Sequence, residues 1–267
     1  MAFVLIDKPR PRVTRITLNR PERMNAMAFD VMVPLREALE GVSFDNDTRV
    51  VVLTGAGHGF CSGADLEDPG TVPHMDGLAV PGIARRAMKA LDDVILAVRG
   101  MHQPVIAAIN GAAIGGGFCL AVATDIRLAS ETAYFRAAGI SNGLTSAELG
   151  ISYLLPRAIG TSRAFEIMLT GRDVDAAEAE RIGLVSRVVP GDALLDACYD
   201  VAERIIGYSH VGVELTKQLL WASLDASSLA AHMNHEGHAQ LFVRMTTQNF
   251  EEAVRARREK RKPVFRD

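Results

Sequence analysis

The sequence predicts an α/β fold in which helices dominate the last third, and three observations carry that prediction. Apolar strands alternate with helical periodicities over the first two thirds of the 267 residues. Two glycine-rich segments, 55–63 and 111–117, each follow an apolar strand and end at a helix start. From about Glu214 to Lys262 long helical patterns run almost without interruption.

In chain order, Val13, Ile16 and Leu18 alternate with Thr and Arg, as in a half-exposed strand. Asn19-Arg20-Pro21-Glu22 makes a turn. A helix follows from about Ala28, with Val31, Leu35, Leu39 and Val42 on one face. Val50–Leu53 is a short, wholly apolar strand of the kind buried on both faces. Residues 69–81 have no period and read as a loop beside a site. Ile83, Ala87, Leu91, Val94, Ile95 and Val98 mark the next helix. Then come a strand, Pro104–Ile109, a glycine turn, and a buried helix, Phe118–Thr124. Ile126 with Leu128, and Tyr134 with Phe135, mark two short strands. A helix is expected near Thr145, a turn at Thr170-Gly171, and a strand at Val185–Val189. A division at residue 200 separates the expected core, 1–200, from a helical region, 201–267.

Composition narrows the function. At 48% hydrophobic and 23% charged the chain is not disordered. A net charge of −3 gives no electrostatic case for nucleic acid. From Gly100 to Thr124 no residue is charged, counting His as neutral, a run long enough to span a bilayer. Pro104, Asn110 and four glycines at 111, 115, 116 and 117 break it as a helix, so no membrane span is expected. The first residues lack the basic and long apolar regions of a secretory signal. Cys61, Cys119 and Cys198 form no CxxC motif and read as reduced thiols, which places the protein in the cytoplasm.

Eight of the 23 glycines lie in the two glycine-rich segments. Glycine lets the backbone approach a ligand closely, and a helix N-terminus offers unpaired N–H groups. Two such loops can aim two N–H donors at one oxygen, the geometry of an oxyanion hole. The plainer reading is a pair of tight turns. A dinucleotide site fails because Phe60 stands where the third glycine of GxGxxG belongs. A P-loop fails because no Gly-Lys-Ser/Thr exists.

The chain resembles the crotonase superfamily, that is, the enoyl-CoA hydratase/isomerase family. The segments that carry the resemblance are Leu18–Met27, Val52–Asp65, Pro104–Asp125, Leu169–Arg172, Gly183–Val185 and Glu259–Phe265. It implies a spiral of ββα units with a helical C-terminal trimerisation region, a homotrimer or hexamer, and an acyl-CoA thioester ligand. Coenzyme A belongs to the substrate, so no separate cofactor and no metal are expected. The oxyanion hole maps to the backbone N–H groups of Ala64 and Gly116. Met24 and Ala26 would line the adenine pocket. Residues 64–67, with Asp65 and Leu66 among them, would follow the pantetheine and thioester, and Ser62 and Gly63 are further substrate-binding residues. Lys260 matches a lysine that reaches CoA phosphate from a neighbouring subunit, although Arg257 replaces the aromatic residue common in that tail.

The resemblance stops at the acid/base residues. Family hydratases pair two glutamates. Here the first position is Cys119 and the second, matched on Gly143, is Gly139. Glycine at 139 would leave space beside the thioester. In its apolar helix Cys119 reads as a packed side chain rather than a nucleophile. Glu148 is the nearest remaining carboxylate, and it has two readings. It could serve as a single base, or it could close the capping box Thr145-Ser146-Ala147-Glu148 at a helix start. Three functions stay open: a hydratase/isomerase-like enzyme, a double-bond isomerase using Glu148, and a non-catalytic acyl-CoA binding protein. Two further patterns carry less. Gly139–Gly143 matches GxSxG but lacks the strand–turn–helix setting of a nucleophile elbow. His232, His235 and His238 spread over an arc of an exposed helix face.

Overall fold

The structure, a computed structural model, describes residues 2–267. The chain begins with an antiparallel pair, β1 (Val4–Arg10) and β2 (Val13–Leu18), followed by α1 (Phe29–Ser43). Three strand pairs follow, and each pair leads into a helix. They are β3 (Val50–Gly55) and β4 (Gly59–Cys61) before α2 (Val80–Gly100), β5 (Val105–Ile109) and β6 (Ala112–Ile114) before α3 (Gly116–Ala123), and β7 (Ile126–Ser130) and β8 (Tyr134–Arg136) before α4 (Ile151–Ile159). The chain continues through α5 (Thr161–Thr170), β9 (Asp173–Asp175), α6 (Ala176–Arg181) and β10 (Arg187–Val189). Four helices close it: α7 (Leu194–Ile206), α8 (His210–Ser223), α9 (Leu229–Thr246) and α10 (Asn249–Arg258).

The first strand of each pair joins a six-stranded sheet, β1-β2-β3-β5-β7-β10, parallel apart from the β1–β2 pair. The second strand of each joins a four-stranded sheet, β4-β6-β8-β9. The chain therefore climbs as a spiral of ββα turns, as the resemblance implied. The larger sheet is buried on both faces because its strands alternate at period two. Val51, Leu53, Val105 and Ala107 pack with α1 and α2, while Val50, Val52, Ile106 and Ala108 pack with Leu194, Cys198, Tyr199 and Ala202 of α7. Residue 200 thus lies inside a helix that belongs to the core, and the helical arm starts after Ile206.

Several local expectations change. The stretch expected as one glycine turn before α3 contains β6, and β4 and β9 are further strands of three residues each. The β1 strand, weighed in the sequence only as a leader, has an exposed edge pattern. No helix starts at Thr145: the next one, α4, begins at Ile151. Among the described residues no helix is long and apolar enough to cross a membrane.

Candidate active site

Pairing of β4 with β6 brings the two glycine segments side by side, with Gly59 opposite Ala112 and Cys61 opposite Ala113. Two asparagines tie the first segment down. Asn25 donates from Nδ2 to the carbonyls of Ala56 (3.0 Å) and Gly59 (2.8 Å), and its Oδ1 accepts from the Arg20 N–H (2.8 Å). Asn110 donates to the carbonyls of Gly57 (3.0 Å) and Gly59 (3.2 Å). The loops can close only because side chains are missing. A Cβ on Gly117 would lie 2.0 Å from the Cys61 carbonyl oxygen, and one on Gly63 would lie 2.6 Å from that of Ile114. Gly63 also sits at φ +82°, a left-handed angle that glycine adopts without penalty.

This packing leaves two donors next to each other. Met27 and Ala64 form a parallel bridge in which the Met27 N–H donates to Gly63 (2.7 Å) and the Asp65 N–H donates to Met27 (3.2 Å). The Ala64 N–H therefore faces away from that bridge and has no partner among the described residues. Gly116 opens α3, so its N–H lacks an intrahelical acceptor and lies at the positive end of the helix dipole. The position of a Cβ on Gly63 is 3.3 Å from the Gly116 nitrogen, so the two donors belong to touching segments. Two free N–H groups at such a junction suit an oxygen that gains negative charge.

The carboxylate beside them is Glu148. Its Oε1 lies 3.6 Å from where a Cβ on Gly115 would be, one residue before Gly116. The expected capping box does not form. Thr145 Oγ1 accepts from the Ala147 N–H, α4 is preceded by Gly150 with no side-chain cap, and the Glu148 side chain makes no hydrogen bond among the described residues. Leu149 at φ +45° and Gly150 at φ +79° make a left-handed pair that ends the loop there. A buried leucine in that region is strained. Half-burial pushes the Glu148 carboxyl up from its ordinary value, because the charged form loses water.

Neither position that the resemblance matches to a hydratase glutamate offers a base. Cys119 is buried within α3, its Sγ lies 3.6 Å from the Glu148 carbonyl, and burial pushes its thiol well up, so it is a packed group. Gly139 is corrected: its side-chain direction is filled by backbone, with a Cβ only 2.1 Å from the Thr145 carbonyl oxygen. No free space opens there. Ser141 sits in a short 3-10 turn and donates to the Ala138 carbonyl (2.8 Å), which is not the setting of a nucleophile.

The proposed ligand-contacting residues divide. Met24 and Leu66 are exposed, at 45% and 77%, whereas Ala26 is buried, so its side chain offers a ligand little. Ser62 donates to the Arg23 carbonyl (3.3 Å). Asp65 is corrected most. Its carboxylate is buried, pairs with Arg20 (3.0 Å) and Arg23 (2.6 Å), and accepts from the Glu67 and Asp68 N–H groups. The Arg23 bonds, followed by those backbone donors, hold it well below the usual carboxylate range. It shapes the loop after Ala64 from within. Sequence reasoning missed Arg20 and Arg23 as its partners, although both stand in the Leu18–Met27 segment. Lys260 lies exposed on the C-terminal arm, where its N–H donates to the Arg257 carbonyl (3.3 Å). A separate apolar cavity of about 800 Å3, lined by Val122, Leu154, Ile205, Val213 and Trp221 among others, touches none of these residues.

The comparisons with known proteins agree with this fold. Residues 10–267 match the family model described as enoyl-CoA hydratase/isomerase. A probable enoyl-CoA hydratase of Mycobacterium tuberculosis is 68% identical over 267 residues, covering 100% of this chain and 94% of that protein. The crystal structure of a probable enoyl-CoA hydratase/isomerase from Mycobacterium abscessus is 65% identical, covers 99% of each chain and superposes with a TM-score of 0.95. A structure described as a monofunctional enoyl CoA isomerase from M. smegmatis is 62% identical, covers 87% of this chain and 99% of its own, and has a TM-score of 0.75. On its fold, its two glycine loops and these relatives, the chain belongs to the enoyl-CoA hydratase/isomerase family of the crotonase superfamily.

Proposed function

We propose that this family member is an enoyl-CoA double-bond isomerase in which Glu148 is the single base. One observation carries the reading: Glu148 is the half-buried carboxylate beside Gly115, with no hydrogen bond of its own among the described residues, while Cys119 and Gly139, which the resemblance matches to the hydratase glutamates, bring no carboxylate. Hydration needs one group to deprotonate water and another to protonate the α-carbon. Moving a double bond needs one carboxylate that takes a proton and returns it. The relative described as a monofunctional enoyl CoA isomerase supports this choice.

The chemistry follows from the placement. The thioester oxygen of a 3-enoyl-CoA accepts from the N–H groups of Ala64 and Gly116. Glu148 removes a proton from C2, and the C–H electron pair becomes the C1–C2 double bond of a dienolate. The negative charge rests on the thioester oxygen between the two donors. Glu148 then returns the proton to C4. The dienolate collapses, and the double bond lies between C2 and C3. Coenzyme A enters with the substrate, and no other cofactor takes part. Along the acyl-CoA, Met24, Ser62, Gly63 and Leu66 line the approach to the thioester. Lys260 reaches the CoA phosphates of a neighbouring subunit in a trimer or hexamer. The helix α9 fits that assembly, because none of its 18 residues is buried and Leu229, Met233, Leu241, Phe242 and Met245 are exposed. The protein works in the cytoplasm.

The test is Glu148→Gln, which keeps shape and removes the base. Isomerase kcat should fall by about 10²–10⁴-fold with the fold intact. The wild-type kcat should also drop on acidification through an apparent pKa above the ordinary carboxylate value of about 4.5. A variant with full activity would exclude Glu148 as base. A wild-type protein that binds enoyl-CoA thioesters and turns over none would instead favour the non-catalytic binding protein.

A further inference from the structure

His232, His235 and His238 lie spread along one helix, but the fold brings together a different set of histidines. His102, in the turn between α2 and β5, meets His210 and Glu214 on the first turns of α8. One ligand atom from each residue lies within 4.8 Å of the other two, and His102 Nε2 is 3.5 Å from Glu214 Oε1. His210 and Glu214 are four residues apart and therefore share one helix face. All three side chains are partly buried.

We propose that His102, His210 and Glu214 form a site for a divalent transition-metal ion of the zinc class, which clamps α8 to the core. Two imidazoles and one carboxylate are a known zinc donor set, with a fourth position left for water. At bond lengths of about 2.0–2.1 Å, tetrahedral ligands lie roughly 3.3 Å apart, so the 3.5 Å pair already has the required spacing. The third ligand closes by a small side-chain rotation. The scaffold is set in advance, because one turn further along α8 Lys217 donates to the Gln103 carbonyl (2.8 Å) and fixes the helix against the residue next to His102. Independent of the clustering, His210 Nε2 is buried with no hydrogen-bond partner among the described residues, a costly state that a metal bond or a rotated ring relieves. Arg49 is the opposing charge nearby. It donates to the Tyr208 carbonyl (3.1 Å), and the Glu214 and Asp267 carboxylates offset it. The site shares no residue with Ala64, Gly116 and Glu148, so its role is structural and it stands whether or not Glu148 is the base.

The test titrates metal-free wild-type protein with Co2+, read by its visible absorption bands, and with Zn2+, read by calorimetry. One equivalent should bind, and saturating Zn2+ should raise Tm by about 5 °C. His102→Ala and, separately, Glu214→Gln should each weaken binding at least tenfold and abolish the Tm shift. The triple variant His232→Ala, His235→Ala, His238→Ala should bind as the wild type does. The proposal is overturned if no stoichiometric binding occurs, if both single variants bind like the wild type, or if only the triple variant loses the ion. Should His102→Ala fail to fold, Glu214→Gln decides alone.

Discussion

Gly63→Ala separates the two donors without replacing either. The new methyl group would sit 2.6 Å from the Ile114 carbonyl oxygen, about 0.8 Å inside an ordinary contact of 3.4 Å. The obstacle is backbone of β6, so it cannot swing aside as a side chain would. The same methyl would stand 3.3 Å from the Gly116 nitrogen, so the relief of the clash must open the gap between the Ala64 and Gly116 segments. An oxyanion donor works at about 2.7–3.1 Å, and a displacement near 0.8 Å takes one of the two bonds out of range. The expected loss is about 10²–10³-fold in kcat, with KM changed much less, because the bond matters most when charge is on the oxygen. An alanine held at φ +82° adds a stability cost of about 1–2 kcal/mol. The assay is steady-state isomerisation of an enoyl-CoA substrate, run beside thermal unfolding to confirm a folded variant. A folded Gly63→Ala protein with the wild-type kcat would refute the two-donor arrangement.

Other perturbations separate function from structure. Burial raises the Glu148 carboxyl, so the folded protein binds this proton more tightly than the unfolded chain, and the group costs stability as pH rises above the unfolded value near 4.5. Glu148→Gln should therefore melt above the wild type at pH 7–8, and the difference should vanish below pH 4.5. Equal Tm values throughout would contradict the burial argument. Asp125 binds the Val105 N–H (2.7 Å), Trp221 Nε1 (2.6 Å) and buried Lys217 (2.9 Å), joining α8 to the core. Asp125→Ala leaves the lysine unpaired and should cost about 3–5 kcal/mol, a Tm loss of roughly 6–20 °C. Cys119→Ala removes only a weak Sγ contact to the Glu148 carbonyl and should change kcat less than tenfold, whereas a nucleophile's loss would abolish it.

Most of the larger sheet was legible because its strands are apolar runs or clear alternations, as in Val50–Leu53 and Val13–Leu18, whereas the mostly exposed β1 was not. The strands β4, β6 and β9 were not, since three residues cannot display a period, and Ala112-Ala113-Ile114 is hidden between glycines. The site was half legible. Glycine loops between strand and helix pointed to a pair of backbone donors, and the family resemblance assigned that pair to Ala64 and Gly116. Glu148 remained ambiguous because Thr145–Glu148 has the spacing of a capping box, and only the left-handed Leu149-Gly150 pair moves the helix start to Ile151. Gly139 misled for a related reason: a missing side chain reads as space until the fold shows the Thr145 carbonyl in its place. The His102–His210–Glu214 cluster was hidden in the sequence, since His102 lies more than 100 residues before the His210–Glu214 pair.

The most direct measurement compares two reactions of the unmodified protein at equal enzyme concentration. One is conversion of a 3-enoyl-CoA to its 2-enoyl isomer, and the other is addition of water to a 2-enoyl-CoA. A site with one carboxylate beside two N–H donors should turn over the first at a rate that Glu148→Gln abolishes, and should leave the second at background. Hydration as fast as isomerisation, or isomerisation that survives Glu148→Gln, would contradict the single-base assignment.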